Sequence, residues 1–248
     1  MTSQAPYVMQ PAEESTISTQ PDEGTREAVR ARSFWTDERP IRALNITVAS
    51  IGLVVSLPLW VIIAIAIKLT SRGPLFYTQT RVGLDQRRSR TPADRTRRAE
   101  DIGGKPFVIV KFRTMTVDAE RHGAAVWAAA NDQRVTAVGG FLRSCRLDEL
   151  PQLLNVIRGD MNLVGPRPER PQFVTQLREK IPDYQMRHRV RPGITGHAQV
   201  NLQYDTSVED VRRKVEHDLE YISRRTVWED LKIMLKTIPV MLFRKGGW

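Results

Sequence analysis

The chain has 248 residues, 41% of them hydrophobic, which suits one ordinary domain with appendages or two small domains and excludes a polytopic transporter. A formal net charge of +10 indicates an anionic partner, such as nucleic acid, acidic lipid or a phosphorylated substrate. The single cysteine, Cys145, excludes an intramolecular disulfide and a cysteine-cluster zinc site, and it fits a reducing compartment. The scattered histidines lack the spacing of a zinc hydrolase: His122, His188, His197 and His217.

The N-terminal region divides into two parts of different composition. Residues 1–40 are rich in proline, serine, threonine, glutamine and glutamate, which predicts a disordered tail. No charged residue then occurs from Ala43 to Ile67, and Arg42 and Lys68 bracket this run of 25 residues. A straight helix of that length extends roughly 37 Å, enough to cross a hydrocarbon core of ~30 Å. The sequence therefore predicts a membrane helix over residues 41–70.

Three topologies compete for this helix. A cleaved signal peptide fits poorly because the apolar run is too long and begins too late. A plain transmembrane helix is the default interpretation. Pro58, near the middle, is expected to kink the helix, and lysines and arginines at both ends are expected to hold both flanks in the cytoplasm. These two features favour a re-entrant helix that returns to the side from which it entered.

Two β-rich runs follow, Leu75–Arg81 and Pro106–Arg113, and they predict a hairpin. The segment between them, residues 87–104, holds six arginines and no apolar pattern. A solvated insertion is the favoured interpretation, with a lipid-headgroup contact as the alternative.

From Val135 onward the patterns are mainly helical. A capping box at Thr206 and Glu209 precedes an apolar stripe at helical spacing. That stripe consists of Val211, Val215, Leu219 and Ile222. The C-terminal stretch Trp228–Trp248 is a basic amphipathic helix, which suits equally a membrane interface or packing against the core.

The residues best suited to catalysis or to substrate binding lie between positions 143 and 169. Asp148 and Glu149 precede an apolar periodic segment with Pro151 in its first turn, which predicts a helix N-terminus. A helix dipole keeps such a carboxylate ionised and attracts phosphate. An ionised Asp148 could act as nucleophile on a diphosphate while Glu149 binds Mg²⁺. Ordinary helix capping explains the same pair, so the pair alone does not distinguish a catalytic role from a structural one.

Cationic residues on stiff segments accompany these carboxylates. Arg167 lies in the Gly165–Pro168 turn between two prolines, and Arg191 opens a second proline- and glycine-containing loop. Lys111 and Arg113 lie at a predicted strand end. Phosphoryl transfer depends mainly on positioning and on charge neutralisation, so anchored cations around one carboxylate suit that chemistry.

Four longer motifs resemble the bacterial sugar transferase family, the monotopic phosphoglycosyl transferases, over about Ile41–Phe243. The motifs are K-F-R-T-M (Lys111–Met115), L-D-E-L-P-Q-L-L-N-V-I-R-G-D-M-N-L-V-G-P-R-P-E (Leu147–Glu169), R-H-R-V-R-P-G-I-T-G (Arg187–Gly196) and A-Q-V-N (Ala198–Asn201).

The resemblance implies an α+β monotopic membrane protein. We expect an N-terminal re-entrant helix, a small β-hairpin, and a mainly helical catalytic domain over residues 71–248 with amphipathic interfacial helices. The expected location is the bacterial inner membrane, with this domain on the cytoplasmic face. The expected form is the small, catalytic-core form of the family, without the multi-span N-terminal region of large members.

The resemblance also implies a reaction. Asp148 would attack the β-phosphate of a UDP-sugar, releasing UMP, and polyprenyl (undecaprenyl) phosphate would then take the phosphosugar. This is the first membrane step of exopolysaccharide, capsule or glycan biosynthesis. Mg²⁺ is required, with Glu149 helping to bind it. Arg143 and Arg167 would contact phosphate, and Asp218 matches an acidic position near the site.

The expected partners are therefore a UDP-sugar, polyprenyl phosphate and membrane lipids, and no nucleic acid is expected. A homodimer is one alternative for the oligomeric state. The chain departs from the family pattern at Leu57, His197 and Gln203, where serine, tryptophan and arginine are usual. If that arginine helps to choose the sugar, the sugar does not transfer by analogy. Two rival functions are a membrane-tethered nucleic-acid binder and a scaffold with degenerate chemistry.

Overall fold

A computed structural model describes residues 23–32, 38–85, 101–117, 119, 132–202 and 207–243. The helices are α1 (Glu23–Arg32), α2 (Arg39–Thr70), α3 (Ala137–Ser144), α4 (Gln152–Arg158), α5 (Pro171–Lys180), α6 (His197–Asn201), α7 (Val208–Arg224) and α8 (Val227–Phe243). Short 3₁₀ turns cover Leu147–Glu149 and Tyr184–Arg189. The strands are β1 (Phe76–Val82), β2 (Pro106–Phe112), β3 (Asn162–Val164) and β4 (Gly193–Thr195). The predicted mixture of helix and sheet is confirmed.

The N-terminal tail is more ordered than its composition predicts. The prediction of disorder over residues 1–40 is wrong for Glu23–Arg32, which forms α1, and α2 already begins at Arg39. Val29 is fully buried, and Arg26 pairs with Asp183 at 2.8 Å, so packing against the domain stabilises α1. Residues 1–22 and 33–37 of the predicted tail lie outside the described residues.

Helix α2 is long and apolar enough to cross a membrane, and it alone has this property within the described parts of the chain. One face is covered by the domain and the other is open. Val55 is 74% exposed and Leu69 is 82% exposed. The other open apolar side chains include Ile51, Val54, Leu57, Val61, Ile62 and Ile65. A stripe of this kind is unfavourable in water and matches the apolar segment that the sequence predicts.

Both ends of α2 are attached to the same domain. Near the beginning, Arg42 donates to the carbonyls of Val156 at 2.5 Å and Ile157 at 2.8 Å. Near the end, Ile67 is buried against Phe112. The two attachment regions are themselves joined, because the Asn155 amide bonds the backbone of β2. About 37 Å of helix at 1.5 Å per residue therefore lies between two anchors on one body.

Pro58 lies within α2, where it removes one backbone donor from the helical ladder. The Ser56 hydroxyl donates to the carbonyl of Leu53 at 3.0 Å, and the Trp60 indole donates to Ser56 Oγ at 3.1 Å. A hydroxyl–backbone bond thus exists beside Pro58 although Leu57 stands where the family pattern has serine. Ser56, one residue earlier, therefore provides hydrogen bonds across the helical turn that Pro58 weakens.

Strands β1 and β2 form the predicted antiparallel hairpin, with Phe76 opposite Phe112 and Val82 opposite Pro106. Residues 87–100 of the arginine-rich insertion lie outside the described residues. The end of the insertion contacts the domain, since Asp101 pairs with Arg178 at 3.2 Å.

Strands β3 and β4 are parallel, and no periodicity predicts them because each has three residues. They align the Gly165–Pro168 turn with the loop that begins at Arg191. Gly193 donates to the carbonyl of Pro166 at 3.0 Å. A Cβ on Gly193 would lie 2.1 Å from the backbone nitrogen of Gly165, so this approach requires glycine.

The predicted stripe on α7 is confirmed as the core-facing side. Its members Val211, Val215, Leu219 and Ile222 are all buried. The predicted capping box is wrong by one residue: Ser207 caps the helix reciprocally with Asp210. Ser207 adopts an extended conformation that leaves its hydroxyl free to accept from the Asp210 amide.

Helix α8 combines both environments that its sequence leaves open. Ile233 and Asp230 are buried, whereas Trp228, Leu235 and Ile238 are mostly exposed. One side of the helix therefore packs on the core, and the other presents apolar side chains outward. Residues 244–248 of the predicted amphipathic stretch lie outside the described residues.

Candidate active site

The two candidate catalytic carboxylates lie on the 3₁₀ turn Leu147–Glu149, just before α4. Arg146 adopts a left-handed conformation with φ of 53°, which ends the path of α3 and redirects the chain. Pro151 stands at the N-cap position of α4. The predicted helix start is thus confirmed, although the carboxylates belong to the turn that precedes the helix.

Glu149 is held by several cations. Its Oε1 accepts from Lys111 Nζ at 2.7 Å and from Arg167 Nη2 at 2.8 Å. Arg146 lies 3.9 Å from the other oxygen, Oε2. Burial raises the pKa of Glu149, but Arg167, Lys111 and Arg146 outweigh burial and hold that pKa well below its usual range. The Glu149 carboxylate is therefore ionised and fixed.

Asp148 has a different environment although it is the adjacent residue. Its only ion pair with a described residue is to Lys111, at a long 3.8 Å from Oδ2. The side chain is largely buried, with 11% exposed, and its oxygens make no hydrogen bond with a described residue, which leaves them available to a substrate. Burial raises the pKa of Asp148, Lys111 partly offsets this, and Glu149 raises it further. A weakly solvated and weakly paired carboxylate is a better nucleophile than one already committed to strong partners.

The two predicted phosphate-binding arginines flank this pair. Arg167 reaches Glu149 from the turn after β3, and Arg143 lies in the last turn of α3, close enough to lower the pKa of Asp148. Within the described part of the chain, the guanidinium of Arg143 makes no hydrogen bond or ion pair, whereas its backbone carbonyl accepts from Arg146 at 3.1 Å. The structure therefore brings Arg143, Arg167 and Lys111 together around the carboxylates, as the motifs predict.

Asp218 belongs to a supporting layer behind the site. It is buried on α7, its Oδ2 accepts from Arg187 Nε at 3.0 Å, and Arg187 Nη2 lies 2.8 Å from the same oxygen in the ion pair. Arg187 also donates to the backbone carbonyl of Arg167 at 3.0 Å. Burial lowers the pKa of Arg187, but Tyr184 and Asp218 raise it by more, so the guanidinium stays charged. Asp218 thus acts on the site through Arg187 and Arg167.

Two predicted site residues are placed elsewhere. Arg113 donates to the carbonyls of Arg72 at 2.7 Å and Ser71 at 2.8 Å, so it fastens the end of α2 to β2. Arg191 pairs with Glu38 and donates to the carbonyl of Gly159 at 3.1 Å, near the beginning of α2. The structure does not bring these guanidinium groups to the carboxylates, because backbone carbonyls and Glu38 already engage them.

Sequence reasoning missed two functional candidates. Arg146 precedes the dyad and approaches Glu149, but a basic residue before an acidic pair carries no distinctive pattern. Arg187 lies within the R-H-R-V-R-P-G motif, yet only its contacts separate it from Arg189 and Arg191. The one sequence signal was the position of Asp218 beside the apolar stripe of α7, because an acidic residue on a core-facing side needs a cation nearby.

The two carboxylates offer oxygen atoms of the kind that Mg²⁺ binds. Magnesium commonly uses one or two carboxylates together with substrate phosphate oxygens. Glu149 Oε2, whose contact with Arg146 is long, and the accessible oxygens of Asp148 provide such donors. The surrounding cations oppose a bare metal ion, but the negative charge of a diphosphate would offset them.

Comparison with known proteins is consistent with this geometry. Residues 37–244 match the sequence pattern of the family described as bacterial sugar transferase. The chain is 43% identical over 83% of its length to an Aeromonas hydrophila UDP-N-acetylgalactosamine-undecaprenyl-phosphate N-acetylgalactosaminephosphotransferase, covering 44% of that protein. It is 42% identical over 79% of its length to the Escherichia coli UDP-glucose:undecaprenyl-phosphate glucose-1-phosphate transferase, covering 39% of that protein.

A third relative comes from Caulobacter vibrioides and is also named UDP-glucose:undecaprenyl-phosphate glucose-1-phosphate transferase. The chain is 42% identical to it over 81% of the chain's own length, and the match covers 69% of that relative. The chain thus spans less than half of the first two relatives and about two thirds of the third. The match covers the helix α2, the hairpin and every candidate site residue. The chain belongs to the bacterial sugar transferase family.

Proposed function

We propose that the chain transfers a sugar-1-phosphate from a UDP-sugar to undecaprenyl phosphate, or another polyprenyl phosphate, in the bacterial inner membrane. The observation that carries this proposal is the division of labour in the dyad. Glu149 is fixed by Lys111 and Arg167, whereas the neighbouring Asp148 keeps accessible oxygens. The relatives named for this reaction provide the chemical class of both substrates.

In the first step, an oxygen of Asp148 attacks the β-phosphorus of the UDP-sugar. The bond between that phosphorus and the oxygen bridging to the α-phosphate breaks, and UMP leaves with the bonding electrons. In the second step, a phosphate oxygen of the polyprenyl phosphate attacks the phosphorus of the aspartyl phosphosugar. This regenerates the Asp148 carboxylate and yields a polyprenyl diphosphosugar. A negative charge on Asp148 is required at the start of each cycle.

The basic residues neutralise charge on the diphosphate. Arg167 presents one nitrogen to Glu149 at 2.8 Å, and as a planar fork it has further donors for phosphate oxygens. Arg143, from the last turn of α3, adds a second guanidinium whose charge acts on Asp148. Lys111 lies between both carboxylates and stabilises the charge that forms as UMP departs. Bound Mg²⁺, held by Glu149 with Asp148 nearby, would supply electrophilic stabilisation of the phosphate oxygens.

The attachment of α2 supports a monotopic topology. The helix is held to one domain near Arg42 and again near Ile67, while its apolar stripe is open between these points. A helix that crossed the bilayer would place its two ends on opposite sides, and one small domain cannot contact both. We therefore infer a helix that enters and leaves by the cytoplasmic face, weakened at Pro58. The exposed apolar residues of α8 would lie in the same interface.

The sugar is not inherited from the relatives. Their names include both glucose and N-acetylgalactosamine, and Gln203, where the family pattern has arginine, lies outside the described residues. The polymer that the enzyme would initiate is equally unspecified by the site.

The decisive experiment incubates the purified protein with a polyprenyl phosphate, Mg²⁺ and a panel of UDP-sugars and measures UMP. We expect UMP release with at least one sugar and none from the Asp148→Asn variant. A UDP-sugar labelled with ³²P in the β-phosphate should leave label on the wild-type protein and not on this variant. Absence of UMP across the panel would favour the scaffold interpretation. Label retained by Asp148→Asn would identify another nucleophile.

A further inference from the structure

A cluster of two histidines and one glutamate lies apart from the dyad, between α6 and α7. His197 is the first residue of α6, and His217 and Glu220 lie one turn apart on α7. Their candidate donor atoms all lie within 4.8 Å of one another. The three side chains come from two helices, and the connection between the helices includes residues outside the described ranges. Tertiary folding, not local sequence, brings His197 to the other two.

The donor atoms converge on one oxygen. His197 Nε2 lies 3.2 Å and His217 Nδ1 lies 3.8 Å from Oε2 of Glu220. The imidazole centroids are 5.3 Å apart. Donors around one zinc ion, each at about 2.1 Å, are separated by about 3–3.5 Å. Small rotations of the side chains therefore suffice to make the set a coordination site.

His197 and Glu220 are hydrogen-bonded to each other, but one atom of the cluster has no such partner and one contact orients its carboxylate. His217 Nδ1 is shielded from solvent and makes no hydrogen bond with a described residue; its 3.8 Å separation from Glu220 is too long. The other Glu220 oxygen, Oε1, pairs with Arg224 at 2.6 Å. Arg224 thus orients the carboxylate and leaves Oε2 directed at the histidines, as an outer partner of a ligating carboxylate does.

We propose that His197, His217 and Glu220 bind a divalent transition metal of the zinc class. Two imidazoles and one carboxylate are a common ligand set for such ions, and the partial exposure of all three residues leaves a position for water. Burial lowers the pKa of His197, which favours the neutral imidazole that metal coordination uses. The site is independent of the proposed Mg²⁺ at Glu149 and of the transfer reaction.

The location gives the metal a structural role near the active site. His197 directly follows Gly196, whose backbone lies so close to the carbonyl of Gly165 that a Cβ there would approach it to 2.3 Å. Gly165 begins the turn that carries Arg167. A metal bound to His197 and to α7 would therefore tie this turn to the same helix that carries Asp218.

The test uses the whole 248-residue chain in detergent. Bound metal is first removed with a chelator, and the titration is then carried out in excess Mg²⁺. Co²⁺ is titrated while its visible absorption is followed, and Zn²⁺ is then added as a competitor. We expect one equivalent of Co²⁺ with the absorption of a protein-bound ion, displaced by Zn²⁺. His217→Ala should weaken binding by about 100-fold, and His197→Trp, which introduces the usual family residue and should preserve folding, should do the same.

Two controls distinguish this site from other binding. Glu209→Gln alters another glutamate on α7, which pairs with Arg212 at 3.5 Å, and should bind Co²⁺ like the wild type. Glu149→Gln removes the proposed Mg²⁺ ligand and should also retain Co²⁺ binding. The proposal is overturned if wild-type binding equals that of the His197→Trp variant. It is also overturned if binding survives both histidine substitutions and is lost in Glu149→Gln, since the ion would then lie at the dyad.

Discussion

Arg187 and Asp218 form a buried ion pair in which Nε of the guanidinium donates to Oδ2 at 3.0 Å and Nη2 lies 2.8 Å from the same oxygen. The same Nη2 donates to the backbone carbonyl of Arg167 at 3.0 Å. The pair therefore connects the core-facing side of α7 to the turn that carries Arg167, and the side chain of Arg167 contacts Glu149. This chain of contacts assigns Asp218 a positioning role, because it reaches the dyad only through other residues.

Removing the charge of Asp218 tests this role. In Asp218→Asn, Arg187 stays buried without its counterion, which typically costs about 3–5 kcal/mol of folding free energy. We expect a lower melting temperature in detergent and, at a temperature where the variant is folded, a lower kcat for UMP release. Uridine nucleotide affinity should change less than kcat if the main effect is displacement of the Arg167 turn.

A double variant separates stability from positioning. Arg187→Met with Asp218→Leu removes both buried charges and should recover much of the lost stability, because neither charge is left unpaired. Its kcat should stay low, since no donor then holds the Arg167 carbonyl. The exposed pair of Glu209 and Arg212 provides the matched control, and Glu209→Gln should cost at most about 1 kcal/mol. Recovery of kcat in the double variant would refute the positioning role.

Asp148 makes the proposed activity dependent on pH. Burial raises its pKa, and only the ionised form is a nucleophile, so kcat/KM should rise with pH as Asp148 ionises. Lys111 is the main influence that lowers this pKa. Lys111→Met should therefore move the acidic limb of the kcat/KM profile to higher pH, in addition to lowering the maximum rate.

The conservative variant Lys111→Arg provides the control for charge. It retains a cation near Asp148 and should keep the acidic limb closer to that of the wild type, even if its geometry lowers the rate. The same profile measured for Lys232→Met, which removes a surface lysine paired with Glu229 at 3.4 Å, should match the wild type. An acidic limb that is identical in Lys111→Met and in the wild type would show that another group controls the rate.

The dyad could be predicted from the sequence because its neighbours in space are mostly neighbours in motifs. Asp148, Glu149 and the rigid Gly165–Pro168 turn all lie in one continuous stretch, and the structure brings Arg167 within 2.8 Å of Glu149. The hairpin and the apolar helix were likewise evident, because periodicity and an uncharged run are local signals.

The roles of individual arginines could not be predicted in the same way. Arg113, Arg167 and Arg191 all lie on stiff, basic segments, and nothing local shows which will meet a carbonyl and which a carboxylate. Their partners are 42 residues away for Arg113 and 153 residues away for Arg191. The order in α1 was missed for a related reason: its stability depends on the burial of Val29 against a surface that forms only in the folded domain.

The monotopic topology predicts the same accessibility for both flanks of α2. In a Cys145→Ser background, cysteines introduced singly at Arg39 and Arg72, both exposed, should react with a membrane-impermeant maleimide only when the cytoplasmic face is accessible. These positions avoid Glu38, whose carboxylate pairs with Arg191 and Arg225. The readout compares labelling of intact spheroplasts with labelling of inverted vesicles.

A position within the apolar stripe completes this comparison. Val55→Cys, at a residue 74% exposed in the isolated protein, should stay unlabelled in both preparations because lipid covers it. Labelling of Arg39→Cys and Arg72→Cys from opposite faces would establish a transmembrane helix and contradict the re-entrant proposal.

Asp230 is expected to make stability fall as pH rises. It is buried on α8, accepts a hydrogen bond from the Tyr221 hydroxyl at 2.6 Å, and burial raises its pKa to about 6. A folded-state pKa above the unfolded value of about 3.9 means that the folded protein binds the proton more tightly, so stability declines between about pH 4 and pH 6. The loss is at most about 3 kcal/mol at neutral pH.

Asp230→Asn keeps an oxygen for Tyr221 but cannot ionise, so its stability relative to the wild type should increase from pH 5 to pH 7.5 in thermal unfolding. Glu209→Gln, which alters an exposed carboxylate on α7, is the matched control. A stability difference between Asp230→Asn and the wild type that is the same at both pH values would show that Asp230 does not ionise in this range.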